Sequence, residues 1–150
     1  MKVNRRATVA RRSTTGAKSR PVVSRWARHP RCVALARAEL RKLLDSWGLA
    51  GVSDDALVVL SELLTNAVRH ARVSRGREIE TRFSREPHGV RIEVHDAAQD
   101  WPQPRMPDDC GGRGLTVVAE LAACWGTEVR DGGIGKAVWA VVAVRVGGEA

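Results

Sequence analysis

Glu62, Asn66 and His70 recur at four-residue spacing in the middle of the chain. On an α-helix, positions i, i+4 and i+8 line up on one face. A carboxylate there can serve as a general base, and an amide oxygen suits a hard cation such as Mg²⁺. The same spacing is also what a solvated helix face carries, so the triplet alone leaves both readings open. Asp96 follows the alternating Val90, Ile92 and Val94. A carboxylate that only accepts could take a hydrogen bond from an exocyclic amine such as adenine's. Its plainer role is to start a turn. Gly111-Gly112-Arg113-Gly114 precedes a helical pattern, where free N–H groups and the helix dipole can face a phosphate. An ordinary glycine turn would look the same.

The elements that must hold these groups are readable from periodicity. Val22–Trp26 reads as a short strand. His29-Pro30 opens a helix marked by Val33, Ala36, Leu40, Leu43, Leu44 and Trp47, with Gly48 ending it. A second helix is expected from Ser53 as N-cap to about Ala71. Asp54 and Asp55 lie in its first turn, and Leu57, Leu60, Leu63, Leu64, Ala67 and Ala71 form its apolar stripe. Glu78–Ser84 and Val90–His95 alternate like strands about the turn Glu86-Pro87-His88-Gly89. Pro102, Pro104 and Pro107 exclude regular structure from 97–110. A third helix is expected near Leu115–Ala123. Strands near Trp125–Arg130 and Lys136–Val144 then flank Asp131-Gly132-Gly133. The fold class is α+β: a two-layer sandwich with a mixed, mostly antiparallel sheet and about three helices on one face.

Composition narrows the function class. The chain has 150 residues and a net charge of +8. Residues 1–31 hold ten Lys/Arg and no acid, so 32–150 carries 15 − 17 = −2. The basicity belongs to the tail and not to the domain. Residues 1–21 read as a basic disordered tail, 22–146 as the folded domain and 147–150 as a short C-terminal tail. No base-reading element or interleaved aromatics point to specific nucleic-acid binding. No apolar run approaches the length of a membrane span, and no secretory signal is visible. Cys32, Cys110 and Cys124 are an odd set with no CxxC, which argues against a disulfide framework or a zinc site. A cytoplasmic location is expected.

Taken in order, Glu62-Leu-Leu-Thr-Asn66-Ala-Val-Arg-His70, then Asp96, then Gly112-Arg-Gly114-Leu115 resembles the GHKL (Bergerat-fold, histidine-kinase-like) ATPase superfamily. Within it, the chain is similar to the single-domain bacterial anti-sigma-factor serine/threonine kinases, over about residues 22–145. The resemblance implies ATP and Mg²⁺ as cofactors. Asn66 would bind the Mg²⁺, and Glu62 would be the general base for an attacking hydroxyl. Asp96 would hold the adenine amine, while Gly112, Arg113, Gly114 and Leu115 would meet the phosphates. His70 completes the nucleotide signature. The segment 97–110 would be the lid over ATP, with Arg105 or Arg113 as a supplementary cation. The partners implied are a sigma factor and an anti-anti-sigma antagonist that receives the phosphoryl group, with homodimerisation expected.

The sequence departs from the family pattern in two places. The glycines that usually follow the adenine-binding Asp are here Ala98 and Asp100. The Thr that often follows Gly-Lys in the last strand is Ala137. These changes bear on nucleotide affinity. They keep open a second function, a partner-sequestering module that does no catalysis.

Overall fold

A computed structural model describes residues 20–69, 78–96, 112–129 and 136–144. Residues 1–19 of the expected N-terminal tail, the expected C-terminal tail 147–150 and the last two residues of the expected domain, 145–146, lie outside the described residues. His70, Arg105 and the segment 97–110 lie outside them as well.

The chain opens with β1 (Val22–Ala27), whose alternation leaves every second side chain half-buried. Helix α1 (Arg31–Ser46) starts after Pro30, which has helical dihedrals. The ring of His29 accepts the N–H of Arg31 at 3.0 Å and so satisfies a donor that the first turn leaves over. The helix stops where its sequence says it must. Gly48 takes φ +75°, and the N–H groups of Leu49 and Gly48 return to the carbonyls of Leu44 (2.7 Å) and Asp45 (3.2 Å). This is the Schellman arrangement, which glycine adopts without steric cost.

A single 3₁₀ turn (Ala50–Val52) leads directly into α2 (Ser53–Arg69). Ser53 is therefore already helical and is not the N-cap that the sequence suggests. Asp54 and Asp55 do occupy the first turn, where the helix dipole favours negative charge. Strands β2 (Glu78–Glu86) and β3 (Gly89–Asp96) form a hairpin around Pro87-His88. Helix α3 (Gly112–Leu121) precedes β4 (Cys124–Val129) and β5 (Lys136–Ala143).

The five strands lie in the order β1-β2-β3-β5-β4. Each pairing among the described strands is antiparallel, in keeping with the mostly antiparallel sheet expected. Gly89 sits so close to β5 that a Cβ would meet the Val142 carbonyl oxygen at 2.0 Å.

One core joins the helices to one face of the sheet. It includes Leu40 and Leu44 of α1, Leu60 and Leu64 of α2, and Val118 of α3. The sheet contributes Ile79, Phe83, Val90, Ile92, Val94, Ala140 and Val142. Within each strand these residues share one parity, and the register puts them on one face, as a sheet with one covered face requires. Two polar ties fix β1 onto this layer. Ser24 Oγ meets both Glu39 carboxylate oxygens (3.0 and 2.9 Å), and Trp26 Nε1 donates to Thr81 Oγ1 at 2.9 Å. No helix among the described residues is long and apolar enough to cross a membrane.

Candidate functional site

Helix α2 lies between α1 and α3 and also touches β3 and β5. Its Ser61 marks the flank that faces α1, since Arg37 Nη1 donates to Ser61 Oγ at 2.7 Å and to the Leu57 carbonyl at 3.2 Å. Helical geometry turns Glu62 and Asn66 about 100–140° away from Ser61, onto the other flank. Both side chains are half-buried there. Neither has been drawn into the core, and neither stands free in water. The i, i+4 pairing read from sequence is thus present on a continuous helix.

Asp96 is the last residue of β3, and its parity puts the carboxylate on the helix-covered face with Val90, Ile92 and Val94. It is 9% exposed. Its surroundings were not foreseen. Arg28, in the turn after β1, donates from Nη2 to Asp96 Oδ1 at 2.9 Å. The Arg28 side chain is only 5% exposed, and its Nε and Nη1 are buried without an acceptor among the described residues. Across the sheet, Lys136 is the register partner of Asp96. Burial lowers the Lys136 pKa, and the negative charge of Asp96 opposes that fall. The sequence did hold one signal for Arg28. Val22, Ser24 and Trp26 face the helices, and residue 28 extends the same parity.

Register also decides the meaning of Ala137. It lies opposite His95 and not opposite Asp96, so residue 137 points to the other face of the sheet. A Thr at this position would not meet Asp96, and the departure noted there does not touch this carboxylate.

Gly112, Arg113 and Gly114 form the first turn of α3 instead of the loop before it. Glycine costs least in a first turn, where the N–H groups have no helical partners anyway. Those donors are what a phosphate would use. Leu115 follows, half-buried, in the same helix.

The donor set fits a magnesium nucleotide. A buried acceptor beside unsatisfied N–H donors suits the edge of a purine, and the Asn66 amide oxygen suits Mg²⁺. Among the described residues no three His, Cys, Asp or Glu side chains gather as a self-sufficient metal cage. Mg²⁺ usually keeps waters and substrate phosphates as ligands, so a single protein oxygen is compatible with it.

No curated protein matches the chain. The family model for the histidine kinase-like ATPase domain matches residues 26–142, from the end of β1 to the end of β5. That span takes in α2 with Glu62 and Asn66, Asp96 and the glycine-rich start of α3, and the chain belongs to the histidine kinase-like ATPase domain family.

Proposed function

We propose that this domain is an ATP-dependent serine/threonine protein kinase of the anti-sigma type. It would bind a sigma factor and phosphorylate a small antagonist protein. The observation that carries this reading is the pairing of Glu62 with Asn66 on the half-buried flank of α2 that is turned away from α1. A domain that only held a partner would have no use for a base beside a cation ligand.

ATP supplies the transferable phosphoryl group, and Mg²⁺ neutralises charge that develops during transfer. The chain's own residues do the positioning. Asn66 would hold the cation through its amide oxygen. Asp96 would accept from the exocyclic amine of the base, and the first-turn N–H groups of α3 would orient the phosphates. Glu62 would take the proton from the attacking Ser or Thr hydroxyl as that oxygen bonds to the γ-phosphorus and the bond from phosphorus to the β,γ-bridging oxygen breaks, with ADP as the leaving group.

Glu62→Gln keeps the size and helix propensity of the side chain but cannot accept a proton. Single-turnover transfer from labelled ATP to the antagonist should fall by about 10²–10⁴-fold. ATP affinity, titrated separately, should stay the same or rise slightly. Transfer at the wild-type rate would remove Glu62 from the role of base.

A second reading has its own support in the Arg28–Asp96 ion pair, which engages the carboxylate that adenine would need. In that reading the domain sequesters its partner without using nucleotide. Mg-ATP separates the two, because a ligand that binds only the folded state must raise Tm.

A further inference from the structure

Arg28 is short of acceptors among the described residues. Its Nη2 holds Asp96 Oδ1 at 2.9 Å, yet Nε and Nη1 are both buried and neither has an acceptor. A buried donor left unpaired costs free energy, and native structures seldom tolerate two on one charged group. The side chain is 95% withdrawn from solvent, so bulk water does not satisfy them. The described neighbours do not supply the missing acceptor either. Lys136 offers only donors, and the Cys32 thiol, whose pKa burial raises, is a weak acceptor at best. The two unpaired guanidinium donors beside the Asp96 carboxylate call for a ligand edge that carries an acceptor beside a donor.

A purine offers that couple. In adenine the exocyclic amine donates, and ring nitrogens N1 and N7 flank it as acceptors. We infer that Arg28 is a base-reading residue: while Nη2 holds Asp96, Nε or Nη1 donates to the ring nitrogen beside the amine that Asp96 accepts. This rests on the nucleotide reading given above and deepens it. The consequence is discrimination by a pair of groups instead of one. A base that lacks the ring acceptor leaves a buried guanidinium donor unpaired, and such sites reject the deficient analogue strongly. A purely structural Arg28, which only tied the turn after β1 to the end of β3, would be indifferent to the ring atoms of the base.

The test titrates the full chain, calorimetrically, with three magnesium triphosphates: ATP, 1-deaza-ATP and 7-deaza-ATP. Each analogue replaces one ring nitrogen by C–H and leaves the amine in place. One of them should bind wild type about ten- to a hundredfold more weakly than ATP. Arg28→Lys keeps the charge beside Asp96 but loses the fork of donors. This variant should bind ATP about as weakly as wild type binds the disfavoured analogue, and should treat the two ligands alike within about twofold. Should Arg28→Lys fail to fold, Arg28→Gln carries the same comparison. If wild type binds both analogues as tightly as ATP, or if the discrimination survives in the Arg28 variant, the inference is overturned while ATP binding itself stands. If wild type binds no ATP at all, the nucleotide reading falls and this inference with it.

Discussion

On the face of the sheet turned away from the helices, Glu93 of β3 accepts from Arg91 Nε at 2.8 Å and pairs with His95 Nε2 at 2.8 Å. Glu80 of β2 likewise meets Arg82 and, at 3.6 Å, Arg25. The Arg91 guanidinium also stacks 4.5 Å over the Trp139 ring. One residue beyond His95, on the opposite face, Asp96 meets Arg28 and faces Lys136. Both faces hold partly buried charge at the same end of the same strand. They differ in how far the donors find acceptors. On the outer face each arginine has a carboxylate, and His95 Nδ1 is the one orphaned atom there among the described residues. On the inner face two N–H groups of a single charged side chain are left over. Satisfied networks hold a fold together, and unsatisfied ones wait for something. The contrast motivates a structural role for the outer charges and the base-reading proposal for the inner ones.

The strongest challenge to this division falls on Glu93. Glu93→Ala would strand Arg91 and His95 and should destabilise the domain by about 3 kcal/mol, read from urea unfolding, with ATP affinity unchanged within about twofold. A large change in affinity would break the distinction between the faces. The same contribution can be titrated in wild type. Burial alone would raise the Glu93 pKa, but hydrogen bonds from His95 and Arg91 and the adjacent charge outweigh it and bring the value from 4.5 to about 2. Because the folded pKa lies below the unfolded one, this stability is full above about pH 4.5 and is lost as pH falls towards 2. It amounts to on the order of 3 kcal/mol. Glu93→Gln should flatten that acid limb.

Asn66→Ala is the mirror experiment on the inner side. On the proposed metal role of Asn66, Mg-ATP affinity should fall on the order of a hundredfold. Tm without nucleotide should hardly move, because the half-buried side chain lies off the apolar stripe. Unchanged affinity in a folded Asn66→Ala protein would remove Asn66 from the metal role. The smallest effect is expected at Ala137, whose face register assigns to His95. Ala137→Thr should leave ATP affinity within about twofold of wild type. A clear rise would mean that the last strand reaches the base in a way the register does not allow.

Much of the fold follows from local pattern. The 3.6-residue stripe of α2, the Gly48 terminus and the alternation of β2 and β3 each arise within a dozen residues of chain, where propensity and burial agree. Element ends shifted by one to three residues, and Gly112 joined α3 because the first turn of a helix tolerates glycine. Ser53 lost its expected capping role because a 3₁₀ turn precedes it. Glu62 and Asn66 were legible for the same local reason: their relation is set by one helix.

What the sequence determined by itself, then, is the set of elements, the pair on α2 and the order of motifs that marks the family. The tertiary structure alone decided what surrounds Asp96. Arg28 lies 68 residues earlier in the chain and counts, on composition, as one more charge of a basic N-terminal stretch. It reaches Asp96 only because β1 pairs with β2 and β2 with β3 in register, bringing Ala27 to Glu78 and Ile79 to Asp96. Lys136 and Ala137 are neighbours in sequence, yet the ladder between β3 and β5 assigns one to Asp96 and the other to His95. A one-residue slip would exchange them. Hydrogen-bond register across strands distant in sequence has no local signature, which is why the charge balance around Asp96 becomes visible only in the folded chain.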